Sequence, residues 1–166
     1  MITGGSLGAL KVNNAVRSIL PKLLEHFQVV HLCGKGKKDE ALVGMKGYVQ
    51  FEYIKEEMAD LFAAADVVIS RAGANTIFEL LALKKPNLLI PLSAASSRGD
   101  QILNANSFKK QGYSKVLLEE DMNDASLYEA IMDLYENRKS YIEVMGSSKL
   151  NNSIDTIVSL INQVSR

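Results

Sequence analysis

The chain has 166 residues, 47% hydrophobic and 23% charged, an ordinary globular balance that excludes disordered and fibrous classes. Nineteen basic and nineteen acidic side chains cancel to a formal charge of zero, with a pI near 6.7, which removes the electrostatic case for a nucleic-acid partner. No apolar run reaches the roughly 18 residues of a membrane span and no signal peptide opens the chain; one cysteine, Cys33, and two histidines, His26 and His31, exclude an internal disulfide and make poor zinc ligands. A cytoplasmic globular domain is expected.

Met1-Ile2-Thr3 reads as the end of a strand, followed at once by Gly4-Gly5-Ser6-Leu7-Gly8-Ala9. A domain seldom starts so close to a strand-to-helix turn, so a segment upstream is expected. The glycines permit positive φ and close backbone approach, and the helix that follows offers free N–H groups and a positive dipole end. Such a turn takes a phosphate, with the Ser6 hydroxyl as a further donor; as a plain tight turn, Ser6 would only cap the helix. The next strand, Val29 to Cys33, runs into Gly34-Lys35-Gly36 with no acidic residue to close it. Thr3 stands where the nicotinamide fingerprint needs glycine, and Gly34 to Lys38 lacks the spacing of a Walker A loop. Dehydrogenase and NTPase readings are therefore weak.

Further strands are expected at Tyr48 to Tyr53, Asp66 to Ser70, Asn87 to Pro91 and Lys115 to Leu118, with helices over Met58 to Ala65, Thr76 to Leu83 and Gln101 to Gln111. Strand and helix in alternation argue for βαβ units and a parallel sheet covered on both faces. The runs around Val67 and Leu89 are apolar without alternation, as in strands buried on both sides. After Leu118 the pattern turns helical, with Leu127, Ile131, Leu134 and Tyr135 on one face and Ile154, Ile157, Val158, Ile161 and Val164 on another stripe. One doubly wound, Rossmann-like α/β domain over 1–166 is the fold expected.

Two more loops carry chemistry. Ser70-Arg71-Ala72-Gly73-Ala74-Asn75-Thr76-Ile77-Phe78-Glu79 leaves a buried strand and enters a helix, where open α/β sheets bind ligands. The Glu79 carboxylate suits a vicinal diol such as a ribose, but Thr76-x-x-Glu79 is also a capping box, and spacing alone favours the cap. Pro91 to Asn104 leaves another buried strand and puts Gln101 and Asn104 on one helix face. Their amides suit sugar hydroxyls, though such residues usually mark only a solvated face. Glu119-Glu120-Asp121 reads as a solvated turn, and no Asp-x-Asp pair follows a strand to hold a divalent ion. No metal and no cofactor are expected.

Together the three loops are far more specific than any one. They resemble the carboxyl-terminal half of the MurG family of bacterial glycosyltransferases, over essentially the whole chain. The resemblance rests on Gly4-Gly5-Ser6-Leu7-Gly8-Ala9, the Tyr53-Ile54 turn leading to Met58, Ser70 to Thr76 with Glu79, and Asp100-Gln101 with Asn104. It implies one half of a two-domain GT-B fold, with the nucleotide-sugar donor held by this half. The implied reaction moves GlcNAc from UDP-GlcNAc onto lipid I, with inversion, to give lipid II for peptidoglycan. Position by position, the resemblance puts Ser6 and neighbouring loop amides, Gly5 among them, at the diphosphate. The backbone of Ile54 meets the uracil edge, in a pocket shaped by Tyr53 and Met58. Ala74, Asn75 and Thr76 line the ribose and phosphates, within a stretch running from Gly73 through Ile77 and Phe78. Glu79 clasps the ribose, and Gln101 and Asn104 read the GlcNAc ring.

Two departures stand out. The family's amino-terminal half is absent, with its own glycine loop and a histidine base; neither His26 nor His31 matches that position, and His31 falls in a strand, where a structural role is expected. Asp100 stands where some members carry an amide, and an ionised carboxylate cannot donate, so its sugar contact is in doubt. The lipid I acceptor and any peripheral association with the membrane's cytoplasmic face are implied for the missing half. Two other readings remain: a standalone nucleotide-sugar binding subunit of a split GlcNAc-transferase, and a fragment of a UDP-GlcNAc 2-epimerase.

Overall fold

In a computed structural model, residues 1–5, 8–95 and 99–148 are described. Strands β1 (Ile2–Thr3), β2 (Val29–Leu32), β3 (Tyr48–Phe51), β4 (Val68–Ser70), β5 (Asn87–Leu89) and β6 (Lys115–Val116) alternate with helices. The helices are α1 (Leu10–Leu23), α2 (Met58–Ala64), α3 (Ala74–Ala82), α4 (Asp100–Lys110), α5 (Asp124–Glu136) and α6 (Arg138–Gly146). All strand pairs are parallel, in the order β3-β2-β1-β4-β5-β6.

Alternate strand residues feed two cores, which is why these strands read as unbroken apolar runs. Ile69, Leu88 and Ile90 pack with Val16 and Leu20 of α1 and with Leu127, Ile131 and Leu134 of α5. Val68 and Leu89 face the other way, against Phe62 of α2, Ile77, Leu80 and Leu81 of α3, Phe108 of α4 and Met145 of α6. Helices therefore cover both faces, as the alternation implied. The strands are shorter than the apolar runs because pairing ends before hydrophobicity does. In β6 the ladder closes with Leu117 N–H donating to Leu89 O at 3.0 Å, so Leu118 lies outside it. The stripe from Ile154 to Val164 lies outside the described residues.

The topology also fixes where a ligand fits. From β1 the chain winds outward to β3, then crosses back to β4 beside β1 and winds the other way to β6. The connections leaving β1 and β4 thus part in opposite directions, opening a crevice at their carboxyl ends.

Candidate functional site

The loop after β1 is built around glycine. Gly8 has φ of +67°, and its N–H donates to Gly5 O at 2.9 Å. A Cβ on Gly8 would stand 2.0 Å from Cys33 O, so only glycine lets the loop lie this close to the end of β2. Gly5, at φ +79°, faces open space. Ala9 occupies the N-cap of α1 without a side-chain bond; Ser6 lies outside the described residues.

Under this loop runs a buried polar network. Asn13 Nδ2 donates to Cys33 O at 2.8 Å, leaving Asn13 Oδ1 to accept from His31 Nε2 at 3.1 Å. His31 Nδ1 then accepts from the Tyr48 hydroxyl at 2.9 Å. Burial, with Arg17 and the chain's amino terminus adding to it, pushes the His31 pKa down to about 4, and burial pushes Tyr48 up to about 12. A neutral imidazole with its proton on Nε2 fits this bonding pattern and the lowered pKa. Arg17 extends the network, donating to Lys37 O at 2.6 Å and Gln50 Oε1 at 3.3 Å. His31 is a bonded core residue, not a base facing the crevice.

The loop after β4 is organised differently. Gly73, in extended conformation, is the N-cap of α3 and makes no side-chain cap bond; Ile77 N–H closes the first turn on Gly73 O at 3.0 Å. The helix therefore starts two residues earlier than the spacing predicts. Thr76 becomes its third residue and Glu79 falls in the second turn, so the expected capping box does not form. The first-turn N–H groups of Ala74, Asn75 and Thr76 lack intrahelical acceptors, and Thr76 lines the crevice.

A cavity of about 150 Å³ lies in this crevice, lined by Met1, Thr3, Gly5, Leu32, Glu52, Tyr53, Met58, Phe62, Thr76 and Glu79. Five sequence-predicted residues, Gly5, Tyr53, Met58, Thr76 and Glu79, thus meet in one place although they span the first half of the chain. Ile54 lies beside them, sharing with Tyr53 a shallow neighbouring pocket of about 510 Å³. Among the described predicted residues that do not line this cavity, two are committed elsewhere. Ile77 is buried in the core under α3, and Phe78 is exposed, edge-on to Phe108 at 5.5 Å between ring centroids. Gln101 and Asn104 each have one group bound to backbone: Gln101 Oε1 accepts from Leu92 N–H at 3.1 Å and Asn104 Nδ2 donates to Ala72 O at 3.0 Å. Half-buried, they brace the loops after β4 and β5. Asp100 is exposed in the first turn of α4, a position that favours a carboxylate through the helix dipole.

Sequence reasoning missed Thr3 and Glu52. Thr3 entered only as a misfit to the nicotinamide pattern; its Oγ1 accepts from Gly5 N–H at 3.3 Å. Glu52, just past β3, accepts from Gly36 N–H at 2.9 Å and brings to the rim the acid lacking after β2. The reading of Glu119 needs correction. Glu119 is only 6% exposed, paired with Arg71 and Lys11 at 2.5 and 3.0 Å, so the acidic cluster is not simply a solvated turn. A larger cavity, about 350 Å³, opens at the opposite ends of the strands between Leu23, Phe27, Val67 and Tyr135, and none of the predicted residues lines it.

Residues 1–160 match the family model described as "Glycosyltransferase family 28 C-terminal domain". The chain belongs to this family. It is 65% identical over its full length to a protein of Lachnospira eligens, covering 47% of that relative. It is 62% identical to one of Lachnoclostridium phytofermentans, with 99% of the chain and 46% of the relative covered. Both relatives are named UDP-N-acetylglucosamine–N-acetylmuramyl-(pentapeptide) pyrophosphoryl-undecaprenol N-acetylglucosamine transferase. Crystalline MurG of Acinetobacter baumannii superimposes with a TM-score of 0.78 at 27% identity, over 98% of this chain and 48% of that one. The family 28 domain here thus has the Rossmann-like architecture of one half of a GT-B glycosyltransferase. It spans about half the length of the curated relatives it matches.

Proposed function

We propose that this family 28 domain is the donor-binding half of an inverting transferase that moves GlcNAc from UDP-GlcNAc to lipid I, yielding lipid II. The observation that carries the reading is the meeting of Gly5, Tyr53, Met58, Thr76 and Glu79 at the crevice between β1 and β4. Uracil would sit against Tyr53, Ile54 and Met58, with the backbone of Ile54 meeting its edge. Glu79, free of a capping role, would accept from both ribose hydroxyls. The diphosphate would lie between Ser6 with the Gly5 amide and the first-turn N–H groups of Ala74, Asn75 and Thr76. Gln101 and Asn104 would face the sugar.

The chemistry follows from that placement. An acceptor hydroxyl attacks the anomeric carbon from the side opposite the departing UDP, and the charge developing on the diphosphate is met by backbone N–H groups already oriented. A base must take the acceptor's proton within hydrogen-bond reach. His31 is committed to the core, so the acceptor and the base are assigned to a second domain, as is any peripheral contact with the membrane. Among the described residues no helix is long and apolar enough to cross a membrane.

Calorimetry with UDP-GlcNAc, UDP, NAD and ATP tests the donor reading. UDP-GlcNAc and UDP are expected to bind without added metal, and NAD and ATP not to. Glu79→Ala is expected to weaken UDP by roughly 1–3 kcal/mol, the cost of unpaired polar partners, with little change in melting temperature. A preference for NAD, or a Glu79→Ala domain that melts early yet binds UDP normally, would overturn it.

A further inference from the structure

We propose that Glu119 is a positioning residue for the diphosphate: through Arg71 and Lys11 it fixes the loop after β4 relative to the glycine loop after β1. The inference rests on the donor-binding reading. Glu119 follows β6, outside the cavity, and nothing in the donor assignment uses it. Its Oε2 lies 2.5 Å from Arg71 Nη1 and its Oε1 3.0 Å from Lys11 Nζ. The same Arg71 Nη1 donates to Ile90 O at 3.1 Å and Pro91 O at 3.2 Å. Segments leaving β4, β5 and β6 therefore meet on one guanidinium. Lys11, in the first turn of α1, joins the helix that the glycine loop enters.

Stability alone is a poor reason for such an arrangement. Glu119 and Arg71 are 6% and 9% exposed, and a buried ion pair is often matched or exceeded by apolar residues of similar size. What an apolar cluster cannot do is tie three segment ends to one group, here through two hydrogen bonds to carbonyls and one ion pair to Glu119. Burial works against the Glu119 carboxylate, yet the contacts with Lys11 and Arg71 outweigh it and keep its pKa below the usual range, so the pair stays charged at neutral pH.

Charge makes the inference testable by sign. Removing a carboxylate near a diphosphate would tighten binding if Glu119 acted only through its field. A positioning role predicts the opposite, and predicts it for the phosphates alone. Titrating UDP and uridine into the wild-type chain and Glu119→Gln by calorimetry separates the two. The expected result is a UDP affinity about tenfold weaker with uridine within about twofold of wild type. Unchanged or tighter UDP binding, or equal losses for UDP and uridine, would overturn the proposal. Should Glu119→Gln fail to fold, Glu119→Asp keeps the charge and shortens the reach; a selective loss of UDP affinity supports positioning, and wild-type behaviour refutes it. A wild-type chain that binds neither UDP nor uridine sinks the donor reading and this proposal together. Normal UDP binding with an indifferent Glu119→Gln sinks this one alone.

Discussion

The two loops that face each other across the crevice are held in unlike ways. The loop after β1 is pressed onto the end of β2: Gly8 leaves no room for a Cβ beside Cys33 O, and that carbonyl is also bonded to Asn13 in a neutral buried network. The loop after β4 touches less. A Cβ on Gly73 would meet nothing within 4 Å, and its position is set from behind by the Ala72 bond to Asn104 and by the Arg71–Glu119 pair. One loop is fixed by packing and neutral hydrogen bonds, the other by charge and reach. The first should therefore fail through volume and protonation, the second through loss of an anchor.

The largest expected effect comes from crowding the first loop. Gly8→Ala places a methyl 2.0 Å from Cys33 O at a φ of +67°. A left-handed alanine costs about 1–2 kcal/mol and overpacking a further 1–3, so a loss of roughly 3 kcal/mol or more is expected in urea unfolding. Gly5→Ala carries the φ cost without the clash and should lose only about 1–2 kcal/mol. Equal losses at the two positions would show that the loop is not pinned on β2.

Acid should separate the loops next. Folding lowers the His31 pKa from 6.5 to about 4, so between those values the unfolded chain binds more protons than the folded one. Unfolding free energy therefore rises with pH across that window. The contribution is complete above about 6.5, falls as pH drops towards about 4 and then levels off, a change on the order of 3 kcal/mol. His31→Gln, which keeps a donor and an acceptor, should flatten the slope between pH 4 and 6.5. Glu119 acts with the same sign but in a lower window. Its lowered pKa means that its contribution is complete above the ordinary carboxylate value and disappears only as pH falls through the depressed one. A stability profile with the same slope in wild type and His31→Gln would remove the neutral network from the account.

These differences mark what was legible in the sequence. The alternation of buried runs and helical stretches carried the sheet, both helical layers and the position of each loop, because burial on two faces leaves a one-dimensional trace. Of the cavity residues, Gly5, Thr76 and Glu79 stand in or just after loops at the carboxyl ends of strands, a pattern visible in the sequence, whereas Tyr53 and Met58 entered only through the family resemblance. Other features leave no such trace. Glu119 looks solvated in Glu119-Glu120-Asp121, and only tertiary structure brings Arg71 and Lys11 against it. Thr76 and Glu79 have capping-box spacing, but Gly73 takes the cap because the chain arrives extended from β4. Ile77 sat in the predicted binding stretch; one helical residue in three or four must face the core, and it is the one.

The smallest effect is the most pointed. Gly73 has φ of −67° and ψ of 142°, a region open to any residue, and a Cβ there would touch nothing. The fold itself does not require glycine at this position. Gly73→Ala should then leave the domain as stable or raise its stability by about 0.4–1 kcal/mol, because alanine has fewer unfolded conformations to lose. If the diphosphate passes close to this backbone, the added methyl occupies its space and UDP binding weakens while uridine binding does not. Melting temperature and UDP affinity would move in opposite directions, which a damaged fold cannot produce. A Gly73→Ala domain that melts higher and binds UDP as tightly as wild type would take the phosphates away from the loop after β4. The glycine loop after β1 would then be left to hold them.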